Sequence, residues 1–173
     1  MAKQIRLLMK QENDKLTNEV ETDETYAPSR SHPRKIGRSK KQTVFDIVER
    51  KGKVSAHHVK SSGARVLLPI IQERVERQTV IYSDEYGAYR TLDKLGYSHT
   101  TVNHSRLEYV RGRAHTNTIE GFWSQLKRSI DGTYHAVSPK YLQSYVDEFV
   151  FRYNHRDEAA GPVLLELALK PVL

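Results

Sequence analysis

Apolar residues recur along this chain with two different periods, and the change of period outlines the elements. Residues 17 to 25, "TNEVETDET", place Thr and Val in partial alternation, which predicts a strand. Residues 42 to 49, "QTVFDIVE", and 53 to 59, "KVSAHHV", predict two more, with Arg50, Lys51 and Gly52 suited to a tight hairpin between them. From residue 63 to 77 the period lengthens. Leu67, Leu68, Ile71 and Val75 mark one helical face, with a kink expected at Pro69. The short apolar run "QTVIYS", 78 to 83, predicts a buried strand. A short helix that stops near Gly96 and a last strand, "SHTTVN", are expected next. Two amphipathic helices follow, over 115–130 and over 139–153, the second with Leu142, Tyr145, Val146, Phe149 and Tyr153 on one face. Three strands followed by alternating strands and helices predict an α/β fold, a mixed sheet with helices on both faces. One domain is expected over 17–156, after a polar leader (1–16) and before an apolar tail (157–173) that docks on the domain or on a partner.

The helix over 115–130, "HTNTIEGFWSQLKRSI", has two stripes. Ile119, Phe122, Trp123, Leu126 and Ile130 form an apolar one. Asn117, Glu120, Ser124 and Lys127 recur at the same steps as a separate polar one. Glu120 by itself reads as a solvated residue. Asp84 follows the buried strand, where ligands gather in α/β sheets, but Asp is also a favoured helix cap. Asp23 falls in a strand, where Asp is disfavoured, and a turn or an edge strand would also account for it.

Charge sharpens the picture. Lys and Arg number 28 against 21 acids, a formal charge of +7, which favours polyanionic partners. Residues 30 to 41, "RSHPRKIGRSKK", hold six basic residues and no acid, as a solvated loop or a phosphate-gripping one would. The absence of cysteine excludes disulfides and thiolate zinc sites and suits a reducing cytosol. No apolar run approaches the ~20 residues of a membrane span, and the N-terminus lacks the features of a signal peptide.

Thirty-five residues separate Asp84 from Glu120, and Lys127 lies two helical turns after Glu120. With Asp23 this gives a D, D, E order. The segments "DETY" (23–26), "SDEYGAY" (83–89), "VNHS" (102–105), "HTNTIEGFWSQLKR" (115–128), "YHAVSPKYLQ" (134–143) and "DEFVFRYNHR" (147–156) carry a resemblance to insertion-sequence DDE transposases, most closely the ISXO-two-like kind. The resemblance implies a ribonuclease H-like fold and metal-dependent cleavage and strand transfer of DNA. It implies that Asp23 and Asp84 hold two Mg²⁺ ions, with Mn²⁺ as a substitute, and that Glu120 completes the site. Asn117 remains its rival as third residue, and Lys127 would meet a DNA phosphate. Such chemistry needs carboxylate oxygens, since Mg²⁺ is a hard ion and two such ions stabilise both ends of an in-line displacement.

Arg34, Lys35, Arg38, Lys40, Lys41, Arg113, Lys127 and Arg128 are the basic positions expected to contact DNA. His104 and His115 match the family but carry little weight. Further expectations are DNA as partner, both element ends and target, a homo-oligomer, no membrane, and a cytoplasmic, nucleoid-associated location. The chain also departs from its relatives. It has no zinc ribbon, Thr22 stands before Asp23 where an apolar residue is common, and "APSR" follows "DETY". Those departures keep open a truncated or domesticated remnant that binds DNA without catalysis. A nuclease of the same fold acting on an RNA–DNA hybrid is a third reading.

Overall fold

A computed structural model describes residues 2–11, 14–27, 42–102, 117–134 and 137–169. Its five strands are β1 (Glu19–Ala27), β2 (Gln42–Glu49), β3 (Val54–Val59), β4 (Val80–Ser83) and β5 (Ser98–Thr101), in the order β3-β2-β1-β4-β5. β1, β2 and β3 pair antiparallel, whereas β4 pairs parallel with β1 and β5 parallel with β4. This is the mixed sheet of a ribonuclease H-like fold. β1 lies at its centre, so Asp23 is in neither a turn nor an edge strand. The hairpin after β2 forms as expected, but Lys51 takes the positive φ of 61°.

Alternation of side chains divides the strands between two cores. Val20, Phe45, Ile47 and Ile81 face α2 (Ala64–Arg74), through Leu67 and Ile71, together with Tyr89 and Leu92. Ala27, Val44, Val48, Val54 and Ala56 face α3 (Asn117–Ser129) and α4 (Leu142–Asn154), through Ile119, Phe122, Leu126, Leu142, Val146 and Val150. Each Val, Leu, Ile or Phe side chain among them contributes about 1.5–3 kcal/mol when fully buried. The helix expected after Asp84 is instead two 3₁₀ turns, Gly87–Tyr89 and Asp93–Leu95. Tyr89, which ends the first turn, and Leu92, which precedes the second, are both fully buried. Gly96, at φ 89°, ends the segment.

The first sixteen residues contribute α1 (Ala2–Leu8) and two core residues, Met9 and Leu16. Arg6 Nε donates to Glu148 Oε2 at 2.7 Å and so ties α1 to α4. The C-terminal stretch forms α5 (Ala160–Leu169), with Leu165 and Leu169 exposed.

The outer edge of β3 is closed by amide side chains. Asn154 accepts from Val54 N (2.8 Å) and donates to Val54 O (3.0 Å). Gln11 accepts from Ala56 N (3.0 Å) and donates to Ala56 O (2.6 Å). Gln143 accepts from His58 N (2.6 Å) and donates to Ala56 O (3.1 Å). Three carboxamides thus imitate a sixth strand.

Candidate active site

Asp23 of β1 is paired directly with Asp46 of β2. By alternation, Asp23 shares a face with Glu21 and Ala27, and Asp46 with Val44 and Val48. Both carboxyls therefore point to the side covered by α3. Asp46 is completely buried. Its Oδ2 accepts a hydrogen bond from Trp123 Nε1 on α3. Its Oδ1 has no hydrogen-bond partner among the described residues. Asp84 follows β4, whose Tyr82 pairs with Glu21. Asp84 comes two residues after Tyr82, just past the end of β4, and its charge acts on Asp23. Asp84 Oδ1 accepts from Tyr86 N at 2.9 Å, so one oxygen does hold the turn that follows. Thr22, next to Asp23 on β1 and paired with Ile47, is buried toward the α2 side, and its Oγ1 has no hydrogen-bond partner among the described residues.

The acids act on one another. Burial pushes the Asp23 carboxyl up to about 8, helped by the charges of Asp84, Glu24 and Asp46, and the backbone N–H of Glu24 offsets only part of this. Glu24 is pushed up to about 7, first by burial and also by Asp84, against a hydrogen bond donated by Tyr89 Oη at 2.8 Å. Burial pushes Asp46 up to about 7 as well, while Trp123 and Lys127 pull the other way. The Tyr89 hydroxyl is itself raised by burial and by Glu24, Asp23 and Asp84.

Of the polar stripe on α3, Asn117 opens the helix, Glu120 lies one turn before Trp123, and Lys127 one turn after it. The Lys127 ammonium is exposed and stands 5.7 Å from the centre of the Trp123 ring. Arg128 is exposed, and its Nε donates to Ser124 O at 3.0 Å. Asp23 and Asp84 are thus brought together. Glu120 is exposed on α3 and is not among the charges acting on Asp23. Among the described residues, no three His, Asp or Glu side chains are placed to hold one metal ion. Arg34, Lys35, Arg38, Lys40, Lys41 and Arg113, with His104 and His115, lie outside the described residues.

The sequence reading missed Asp46, and a signal was available: an Asp inside "VFDIV", a strand pattern that disfavours it. It also passed over Glu24 as part of "DETY". The donors present suit a hard divalent cation. All are carboxylate oxygens, one of them buried without a hydrogen-bond partner among the described residues, and Asp23 is pushed up to about 8 by burial and then by its like-charged neighbours. Asp23 and Asp84 are the pair that would hold such an ion. Among the described residues, no helix is long and apolar enough to cross a membrane.

Comparison with known proteins agrees with this fold. In Haemophilus influenzae, a protein described as an uncharacterized transposase-like protein is 29% identical over 104 residues, or 60% of this chain and 83% of that one. A chain of the simian T-cell lymphotropic virus intasome, solved in complex with PP2A regulatory subunit B56 gamma, superposes with a TM-score of 0.53 at 16% identity. The match covers 92% of this chain but only 56% of that one. The Mos1 strand transfer complex contains a more distant likeness, with a TM-score of 0.38 at 14% identity, covering 88% of this chain and 53% of that one. The described family that matches is the ISXO2-like transposase domain, over residues 15–154, and the chain belongs to that family.

Proposed function

We propose that this chain is a DDE-type catalytic domain that cleaves a DNA strand and joins the freed end to target DNA in metal-dependent steps. The observation that carries the reading is the approach of Asp84, just past the end of β4, to Asp23 on the neighbouring β1, close enough for their charges to act on one another, on a sheet packed against the helix that bears Glu120 and Lys127. In cleavage a water oxygen attacks a phosphodiester phosphorus and the strand's 3′-oxygen leaves. In joining, that 3′-hydroxyl attacks a target phosphodiester and displaces its 3′-oxygen in turn. Both displacements develop charge on the attacking, leaving and non-bridging oxygens. Two Mg²⁺ ions, or Mn²⁺ in their place, would supply compensation at both ends of the displacement.

The chain's own part is to hold and orient. Asp23 and Asp84 provide the carboxylates, with Glu120, or Asn117 at the start of the same helix, as the third ligand. The exposed Lys127 meets a phosphate oxygen. The basic residues from Arg34 to Lys41, with Arg113 and Arg128, hold the DNA backbone, and the working form is an oligomer on paired ends.

Nicking of supercoiled plasmid in Mg²⁺ or Mn²⁺ tests this without knowledge of the element's ends. The wild type is expected to convert supercoiled to open-circular DNA only with metal, and Asp84→Ala to lose that activity. If neither protein nicks and both bind metal alike, the chain is a DNA-binding remnant.

A further inference from the structure

We propose that Glu21 and Arg50 are positioning residues, a clasp that sets the three ligand-bearing segments relative to one another. The inference rests on the reading of the site given above. Glu21 is completely buried on β1, two residues before Asp23. Its Oε2 accepts from the first turn of α3, Thr118 N at 2.9 Å and Ile119 N at 3.1 Å. Its Oε1 accepts from Thr118 Oγ1 at 3.0 Å and from Arg50 Nε at 2.8 Å. Arg50 also donates to Glu19 at 2.9 Å, and its guanidinium lies 4.0 Å from the centre of the Tyr82 ring on β4. Tyr82 comes two residues before Asp84, and Thr118 stands between Asn117 and Glu120. One ion pair therefore touches β1, β4 and α3, each time within two residues of a proposed ligand.

The physics of packing gives this arrangement a purpose. The apolar face of α3 holds the helix on the sheet, but apolar contact is non-directional and tolerates sliding and rotation. Hydrogen bonds to two N–H groups of the first turn fix both, and a carboxylate suits the positive end of the helix. A buried ion pair is a poor way to gain stability, since apolar residues of similar volume often do as well. What the pair adds is direction. Metal sites that depend on ligands from separate elements are sensitive to such supports, whose removal typically weakens metal affinity about 10- to 100-fold.

Mn²⁺ binding tests this, followed by the paramagnetic resonance of the free ion, at a temperature where circular dichroism shows each protein folded. Glu21→Gln, Arg50→Lys and Thr118→Val are compared with wild type. Ile71→Val, in the opposite core, serves as a control that lowers stability away from the site. Glu21→Gln and Arg50→Lys are expected to bind Mn²⁺ about 10- to 100-fold more weakly. Thr118→Val keeps the backbone bonds, so it should shift binding in the same direction by less, and Ile71→Val should not shift it. If Glu21→Gln does not fold, Arg50→Lys and Thr118→Val carry the comparison. Folded clasp variants that are less stable but bind Mn²⁺ as tightly as wild type would reduce the clasp to a structural prop. Wild type that binds no Mn²⁺, or binds it as well after Asp84→Ala, would overturn the site itself and the clasp with it.

Discussion

Replacing Asp46 by Asn isolates the electrostatic strain beneath α3. The Asp46 carboxyl ionises near 3.8 when free and near 7 when folded, because it is fully buried and lies near Glu24. Its folded value is the higher one, so at intermediate pH the unfolded chain has released a proton that the folded chain still holds. The metal-free protein then loses stability as pH rises from about 4 through 7. At about 1.4 kcal/mol per pH unit of separation, the full cost is about 4 kcal/mol above pH 8, of which about 3 kcal/mol accrues between pH 5 and pH 8. Asn keeps an acceptor for Trp123 and carries no charge. Asp46→Asn should therefore remove about 3 kcal/mol of pH dependence over that interval, which for a chain of this length is about 6–12 °C in Tm. The buried His57 imidazole, lowered to about 4 by burial and by Arg74, titrates in the same window. It is common to both proteins and cancels in the difference, whereas Asp23 and Glu24, pushed up to about 8 and about 7, interact with Asp46 in the same window, so the easing of their own shifts adds to the effect. The assay is urea and thermal unfolding in EDTA at pH 5, 6, 7 and 8, followed by circular dichroism. Parallel stability curves for the two proteins would refute the account, since the buried carboxyl would then impose no charge cost.

Two further outcomes follow from other parts of the molecule. Lys127→Gln should lower the slope of log affinity for duplex DNA against log salt by about 0.9, the loss of one phosphate contact. Binding isotherms by fluorescence anisotropy at four salt concentrations measure it, and an unchanged slope would place Lys127 away from the backbone. Asn154→Leu should cost about 1–3 kcal/mol by leaving the Val54 N–H and C=O without their amide partner. Thermal melting measures that cost, and an unaltered Tm would mean that water serves the strand edge equally well.

Much of this architecture was legible because it depends on local period. The two stripes of α3, the strands over 42–49 and 54–59 and the position of Asp84 after an apolar run all follow from spacing along the chain. Asp46 was not, although its residue type was out of place. Seeing it as part of the site required the antiparallel register that sets it against Asp23, and register is a property of two strands together. Glu21 is harder still. Its alternation with Glu19 and Asp23 reads as a wet strand face, and only the docking of α3 turns that face inward. The segment after Asp84 was expected as one short helix and is two 3₁₀ turns, since short helical turns of either kind leave the same local signature. The amides on β3 come from three distant stretches, and nothing in their neighbours marks them.

The amide-lined edge of β3 bears on how copies of this chain can associate. A fibre built by strand addition needs two open edges on every unit, one to receive a neighbour and one to offer to the next. With Gln11, Gln143 and Asn154 occupying the backbone of Val54, Ala56 and His58, this sheet cannot extend on the β3 side. Copies that meet edge to edge then form at most a closed two-fold pair, and growth stops there. Three neutral side chains thereby protect the chain from runaway polymerisation through this edge.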